Sequence, residues 1–269
     1  MPRSLRKSIP ALTVAVLLAS CTSSESAEGG SGGEEDVEPA TVEFRLVTLE
    51  DYDVVTVDDF DHLDLDDCRP PEGDPSASSI NQVFEKVGRE AADQAEELER
   101  YAFDAKVVSE LVSFCDLTPK EVDLLPERMQ FTVPTISCFH LRDDRRAATD
   151  SDEPLTTCGN TTEENTRTKY LLKAAPLTTD HLVDVEVVAD DENEGERLRF
   201  HFSDDGALKW QELAADNQGL QLATVVDGVV VGAPVIFQPH DSRFDVGGLD
   251  SETATNLAAR INAGIGGDE

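Results

Sequence analysis

The sequence predicts an α+β protein, a mostly antiparallel sheet with helices on one face, preceded by a smaller α/β N-terminal region. Three observations carry this. The last hundred or so residues read as strand, strand, helix, three strands and a helix, with short connections. From Ile80 to Ala102 apolar residues recur every three or four positions, the signature of a helix with one buried face. "ATVVDGVVVGAPVIFQ", Ala223 to Gln238, sets two apolar runs on either side of Asp227-Gly228, the signature of a β-hairpin.

The N-terminus has the order of an export signal. Arg3, Arg6 and Lys7 precede an apolar run from Ile9 to Ala19 that is short for a membrane span. Leu18-Ala19-Ser20-Cys21 then resembles the bacterial lipobox, which implies cleavage before Cys21 and attachment of lipid to its thiol. A plain secretory peptide with a chance cysteine is the alternative. Residues 1–20 are therefore expected to be a signal peptide and residues 21–39 an acidic Gly/Ser/Glu tether. Such a tether cannot collapse and has an r.m.s. reach of roughly 25 Å. The lipid would hold the protein at the outer face of the cell membrane.

With 22 basic and 56 acidic residues the chain carries a net charge of −34. That excludes nucleic acid as a partner, because phosphate binding needs a basic stripe. A hydrated, halotolerant surface is the favoured account of it, ahead of a specific cationic partner.

Beyond Cys21 four cysteines remain, an even set that fits two disulfides in an exported protein. Pairing Cys68 with Cys115 and Cys138 with Cys158 makes each bridge bracket one apparent structural unit. Zinc is the alternative, against which stands the lack of any C-x-x-C spacing.

The elements follow in order. Thr41–Leu49 alternates Val42, Phe44 and Leu46 against Glu43, Arg45 and Val47, as a strand does, and Tyr52–Val57 is placed to pair back with it. Asp58–Asp67 is aspartate-rich; it lacks the glycine and distal glutamate of a calcium loop and reads as a solvated acidic loop. Ser79 with Gln82 predicts a capping box, opening a helix that continues, with a kink, to Cys115. Thr118, Pro119 and Glu121 predict a second, short helix that ends near Pro126. Gln130–Val133 reads as a strand continued by Ile136 to Cys138. These make up an N-terminal region of strand and helix over residues 40–139. Residues 140–167 read as a charged loop holding a disulfide, and residues 168–264 as the main α+β domain. In that domain Leu182–Val188 and Leu198–Phe202 are strands. Asp204 or Asp205 caps a helix through Trp210. Leu220–Val226 and Val229–Phe237 form the hairpin, Phe244 and Val246 a short strand, and Asp250 or Ser251 caps the last helix.

The order of motifs in this last domain resembles the head of the first periplasmic domain of SecD and SecDF, membrane subunits that assist protein export. The residues that carry the resemblance are Tyr170-Leu171-Leu172, Trp210 in its helix, Asp227-Gly228, Ala233-Pro234, Gly247-Gly248 and the closing Ala263-Gly264. Upstream, Val42 to Val47 is similar to a strand of actinobacterial members, and Leu125 to Cys138 with Pro154 to Cys158 to their paired-cysteine segment. The chain departs from that family in having Gly232 where serine is more frequent and Ala214 where threonine is common.

The resemblance implies a non-catalytic extracytoplasmic head that contacts exported polypeptide or the Sec translocase. The apolar hairpin face, at Val229 and Val231, is the candidate surface, with strand addition at a sheet edge as the mode. An orphan ligand-binding or envelope-structural lipoprotein that reuses the fold is the alternative. Catalysis is not expected. His62, His140, His181, His201 and His240 come with no metalloprotease, esterase or phosphate-loop pattern, and no cofactor or metal is implied. His201, between Phe200 and Phe202 in a strand, should face away from both.

Overall fold

The computed structural model describes residues 37–48, 68–99, 104–141, 150–160, 167–190, 195–237 and 242–265. The signal segment, Cys21, Tyr52–Val57, Asp58–Asp67, His62 and His240 lie outside the described residues.

The first strand, β1 (Val42–Leu46), is followed by a region whose described regular elements are all helical. It holds α1 (Ile80–Val87), α2 (Arg89–Glu97), α3 (Ala105–Glu110), a 3-10 turn at Val112–Asp116, α4 (Pro119–Val122) and α5 (Glu127–Thr132). The C-terminal part holds β2 (Leu155–Asn160), β3 (Arg167–Leu172), β4 (Leu177–Thr178), β5 (Leu182–Ala189), β6 (Glu196–Phe202), α6 (Asp204–Asp216), β7 (Leu222–Val226), β8 (Val229–Gly232), β9 (Arg243–Leu249) and α7 (Ser251–Gly264). This is the expected α+β class, with antiparallel pairing dominant. The strands form two sheets, ordered β3-β2-β8-β7-β1-β4 and β5-β6-β9.

β1 lies between β7 and β4 in the larger sheet, with Val42 opposite Val226 and Leu46 opposite Leu222. Beyond β1, Val47 bridges Leu172, and Thr48 N–H donates to the Leu171 carbonyl at 2.8 Å. The sheet thus curls until the tail of β1 meets its far edge. One side of the larger sheet faces the smaller sheet, α6 and α7. There Phe44 is fully buried, with the rings of Phe200, Phe202 and Phe244 edge-on at 5.2, 5.5 and 5.7 Å. Trp210 of α6 packs on Phe202 and Phe244, so the aromatic in this helix is a core residue. The other side of the sheet buries Val47, Leu155, Leu172, Ala223, Val225 and Val230.

The smaller sheet is alternately apolar and polar. Leu198, Phe200 and Phe202 of β6 are buried, and Arg197, Arg199 and His201 turn the opposite way. The outer edge of β5 is met by α7. Val185 N–H donates to Asn262 Oδ1 at 2.9 Å, and Asn262 Nδ2 donates to the Val185 carbonyl at 2.8 Å.

The helical region has its own core, including Phe84, Leu111, Phe114, Leu117, Val133 and Ile136. Several expectations are corrected there. The long helix breaks at Gly88, whose φ of 93° lies outside helical space, and again before Asp104, which caps α3 through the N–H groups of Lys106 and Val107. Ser79 makes no side-chain capping bond; Gln82 Oε1 instead accepts from Ser78 N–H and Oγ. Gln130–Val133 is not a strand, because Gln130 to Thr132 belong to α5, and Ile136 to Cys138 lie in turns. In the expected loop, Leu155–Asn160 forms β2 instead. The helix through Trp210 is capped by Ser203 rather than Asp204 or Asp205, and α7 is capped by Asp250.

Disulfides join Cys68 to Cys115 and Cys138 to Cys158. The second ties the helical region to β2. A buried lysine reinforces that seam, and a buried arginine ties β1 to the segments that flank β2 and β3. Lys169 Nζ donates to the carbonyls of Ile136 (2.7 Å) and Val133 (3.2 Å). Arg45, fully buried, donates to the carbonyls of Glu153, Lys173 and Asp150 at 2.6, 3.1 and 3.3 Å and to Glu43 Oε2 at 2.7 Å. On this seam His140 is buried, with Nδ1 accepting from Ser137 N–H and Nε2 facing the Cys115 carbonyl.

The short helix α4 has the expected capping box. Its Glu121 is fully buried and accepts from Thr118 N–H, Ser76 N–H and Oγ, Ala77 N–H and Lys86 Nζ. Burial by itself would raise this carboxyl, but the donors, Lys86 first, outweigh it and lower its pKa to about 2. His140 moves down to about 4, chiefly because burial disfavours the imidazolium.

Both shifts make the folded state acid-sensitive. Each group binds protons less readily folded than unfolded. The stability from His140 is present above its ordinary 6.5 and is lost as the pH falls towards 4. That from Glu121 is present above 4.5 and is lost as the pH falls through about 2. Urea unfolding at pH 7, 5 and 3 should show stepwise loss. Glu121→Gln should cost about 1–3 kcal/mol at pH 7, and the deficit should shrink at pH 3.

Candidate functional site

The hairpin turn is built by Asp227 and Gly228, with φ of 48° and 78°, as a two-residue turn of the primed type requires. Asp227 does more than turn the chain. Its N–H donates to the Thr41 carbonyl at 3.1 Å, and its Oδ1 accepts from Thr41 N–H at 2.9 Å. Its Oδ2 accepts from Arg260 Nη2 of α7 at 2.7 Å. Arg260 in turn donates from Nε to the Glu38 carbonyl at 3.2 Å, and its own carbonyl accepts from Ala40 N–H at 3.0 Å. Gly264 completes the clamp, since a Cβ there would stand 2.6 Å from the Ala40 carbonyl oxygen. The Asp-Gly turn and the closing Ala-Gly thus grip the segment that leads into β1.

The strand after the turn is internal. β8 pairs with β7 on one side and with β2 on the other, the latter in parallel through Gly159 and Val230. A Cβ on Gly159 would lie 2.9 Å from the Val230 carbonyl oxygen, so the approach needs glycine. Strand addition along the hairpin is therefore ruled out, because both edges of β8 are occupied. Val229 remains 43% exposed at the tip, whereas Val231 is half-buried against the main core. Sequence reasoning missed Val235 and Phe237, which follow the hairpin and are exposed, and Leu208 on α6, which is 67% exposed. No periodic signal marks any of them. Gly232 has a structural reason: a Cβ there would collide with Cγ1 of the buried Val246.

Among the described residues the histidines do not converge. His140 is in the helical seam, His181 accepts from Thr178 N–H at the turn before β5, and His201 is on the polar face of β6, away from Phe200 and Phe202 as expected. On that face Arg199 makes two bonds to Asp245, at 3.0 and 2.8 Å, and this hydrogen bonding raises the guanidinium pKa. A cleft of about 720 Å³ lies between α2 and the 3-10 turn, lined by Glu90, Asp93, Glu97 and Glu110 among others, and none of its lining residues is a histidine. Among the described residues no helix is long and apolar enough to cross a membrane.

Truncation tests the clamp. Asp227→Ala should cost about 1–3 kcal/mol by chemical unfolding, since it orphans Thr41 N–H and strains the turn. Asp227→Asn, which keeps an acceptor and tolerates positive φ, should cost less. A loss below about 0.5 kcal/mol for Asp227→Ala would show that the clamp does not hold β1.

The family model of the SecDF P1 head subdomain matches residues 156–265. No curated protein matches. Among solved structures, SecDF in a super-membrane-facing form is 18% identical over 85% of this chain and 19% of that one, with a TM-score of 0.38. A structure of SecDF described as a membrane component that enhances protein export is 19% identical over 85% of this chain and 64% of that one, with a TM-score of 0.37. SecDF of Thermus thermophilus, described as translocon-associated, is 18% identical over 86% of this chain and 20% of that one, with a TM-score of 0.32. The chain spans less than two thirds of the length of each. Residues 156–265, which contain the hairpin together with Asp227, Arg260 and Gly264 of the clamp, are thus similar to the SecDF P1 head subdomain.

Proposed function

We propose that the protein is a non-catalytic extracytoplasmic lipoprotein, anchored through lipid on Cys21, whose SecD-like head contacts exported polypeptide or the translocase. The observation that carries this reading is the family match over residues 156–265, which takes in the hairpin, Asp227 and Arg260 of the clamp and the closing Ala-Gly. SecDF itself is described as enhancing protein export. In this chain the contact surface is the hairpin tip, where Val229 is exposed, rather than a hairpin edge. Val231 takes part only at the margin, because it already packs on the core. The acidic surface suits cationic stretches of a passing chain.

A photo-crosslinking residue at Val229 should capture nascent exported chains or Sec components in cells. The same residue at buried Val230 should capture neither. Equal capture at both positions, or none at Val229 with normal secretion in a deletion strain, would sink the reading. The anchor has its own check. Intact mass of the mature protein should show a diacylglyceryl addition, absent in Cys21→Ala, and that variant should leave the membrane fraction.

A further inference from the structure

We propose that Asp184, Glu186 and His201, on the polar face of the smaller sheet, form a binding site for a divalent transition metal of the zinc type. The site follows from register. Asp184 of β5 stands directly opposite His201 of β6, and Glu186 opposite Arg199, one step along the same face. A bulge between Leu182 and Asp184 sets this alignment. One ligand atom from each of the three residues lies within 4.8 Å of the others.

Two features separate this cluster from ordinary surface charge. First, His201 Nε2 is screened from solvent and makes no hydrogen bond, while Glu186 Oε2 stands 3.4 Å away. Two ligands at tetrahedral angles around zinc, each about 2.0–2.1 Å from the metal, lie roughly 3.3 Å apart. The nitrogen and the carboxylate oxygen are thus already at that spacing. Second, the cation beside them, Arg199, gives its hydrogen bonds to Asp245, through both Nε and Nη2, and reaches Glu186 only by longer-range attraction. Arg243 is opposite His201 on the β9 side, away from β5. The metal would therefore sit towards β5. Asp184 and Glu186 are exposed, so small side-chain rotations suffice to close the third ligand, and water completes the shell. An imidazole with two carboxylates selects zinc, cobalt or nickel over calcium and magnesium, which take oxygen alone.

The test uses the full mature chain, freed of metal with a chelator, and zinc chloride in isothermal titration calorimetry. Wild type should bind one zinc with a single-site isotherm. His201→Ala and Glu186→Gln, both on the solvent face, should each weaken that event at least about tenfold while leaving the far-UV circular dichroism unchanged. Added cobalt should give visible absorption bands that His201→Ala abolishes, and the His201 imidazole signals should shift selectively on zinc addition in NMR. Absence of a one-site event would overturn the proposal. So would unchanged affinity in His201→Ala, or calcium binding of equal strength and stoichiometry, either of which would assign the binding to the general acidity of the surface.

Discussion

The head depends on one insertion. β1 enters between β7 and β4 and puts Phe44 against three phenylalanines of the smaller sheet. No strand of the segment 156–265 fills that slot, so the head's own sheet is incomplete without residues some 186 positions upstream of its hairpin. The clamp explains how so distant a segment is held in register. Thr41 is fixed to Asp227 through backbone and carboxylate at once, and Arg260 joins the last helix to the same point. Loop closure over that span is entropically costly, and only burial of a large aromatic together with several hydrogen bonds offsets it.

The helical region is attached by a different logic. Its core is separate, and its seam with β2 and β3 carries a disulfide, a buried lysine and a buried histidine. Lys169 is satisfied largely by the carbonyl oxygens of Val133 and Ile136, which point in fixed directions. Such contacts add little net stability compared with an apolar seam, but a misplaced neighbour would leave a charge unsolvated. The seam is therefore specified by geometry more than by area.

Local chemistry and the cysteine pairing were readable in the sequence, and long-range strand pairing was not. Thr118-Pro119 with Glu121 formed the expected capping box because all its partners lie within one turn. The hairpin turn at Asp227-Gly228 was equally legible, since only positive-φ residues fit it. The stripe from Ile80 onward ran through Gly88, because periodicity counts apolar faces and is blind to a single residue outside helical space. Gln130 to Val133 has strand-forming side chains, yet α5 packs against β2 and β3, and tertiary contact overrode propensity. β2, with Thr156, Thr157 and Gly159, has no apolar alternation; its strand character comes from partners on both sides. Of the candidate surface, the sequence placed Val229 but not the burial of Val231, which depends on β8 lying inside the sheet. The cluster of Asp184, Glu186 and His201 was invisible for the same reason, since a bulge sets its register.

Asn262 has an effect that reaches beyond its own helix. An unpaired outer strand is a template on which a second molecule can crystallise its backbone, and crowded surfaces make such encounters frequent. The carboxamide of Asn262 imitates a peptide group and occupies the middle of β5, while the tail of β1 does the same for the end of β3. The fold thus carries its own insulation against self-association, built from one side chain and one strand tail.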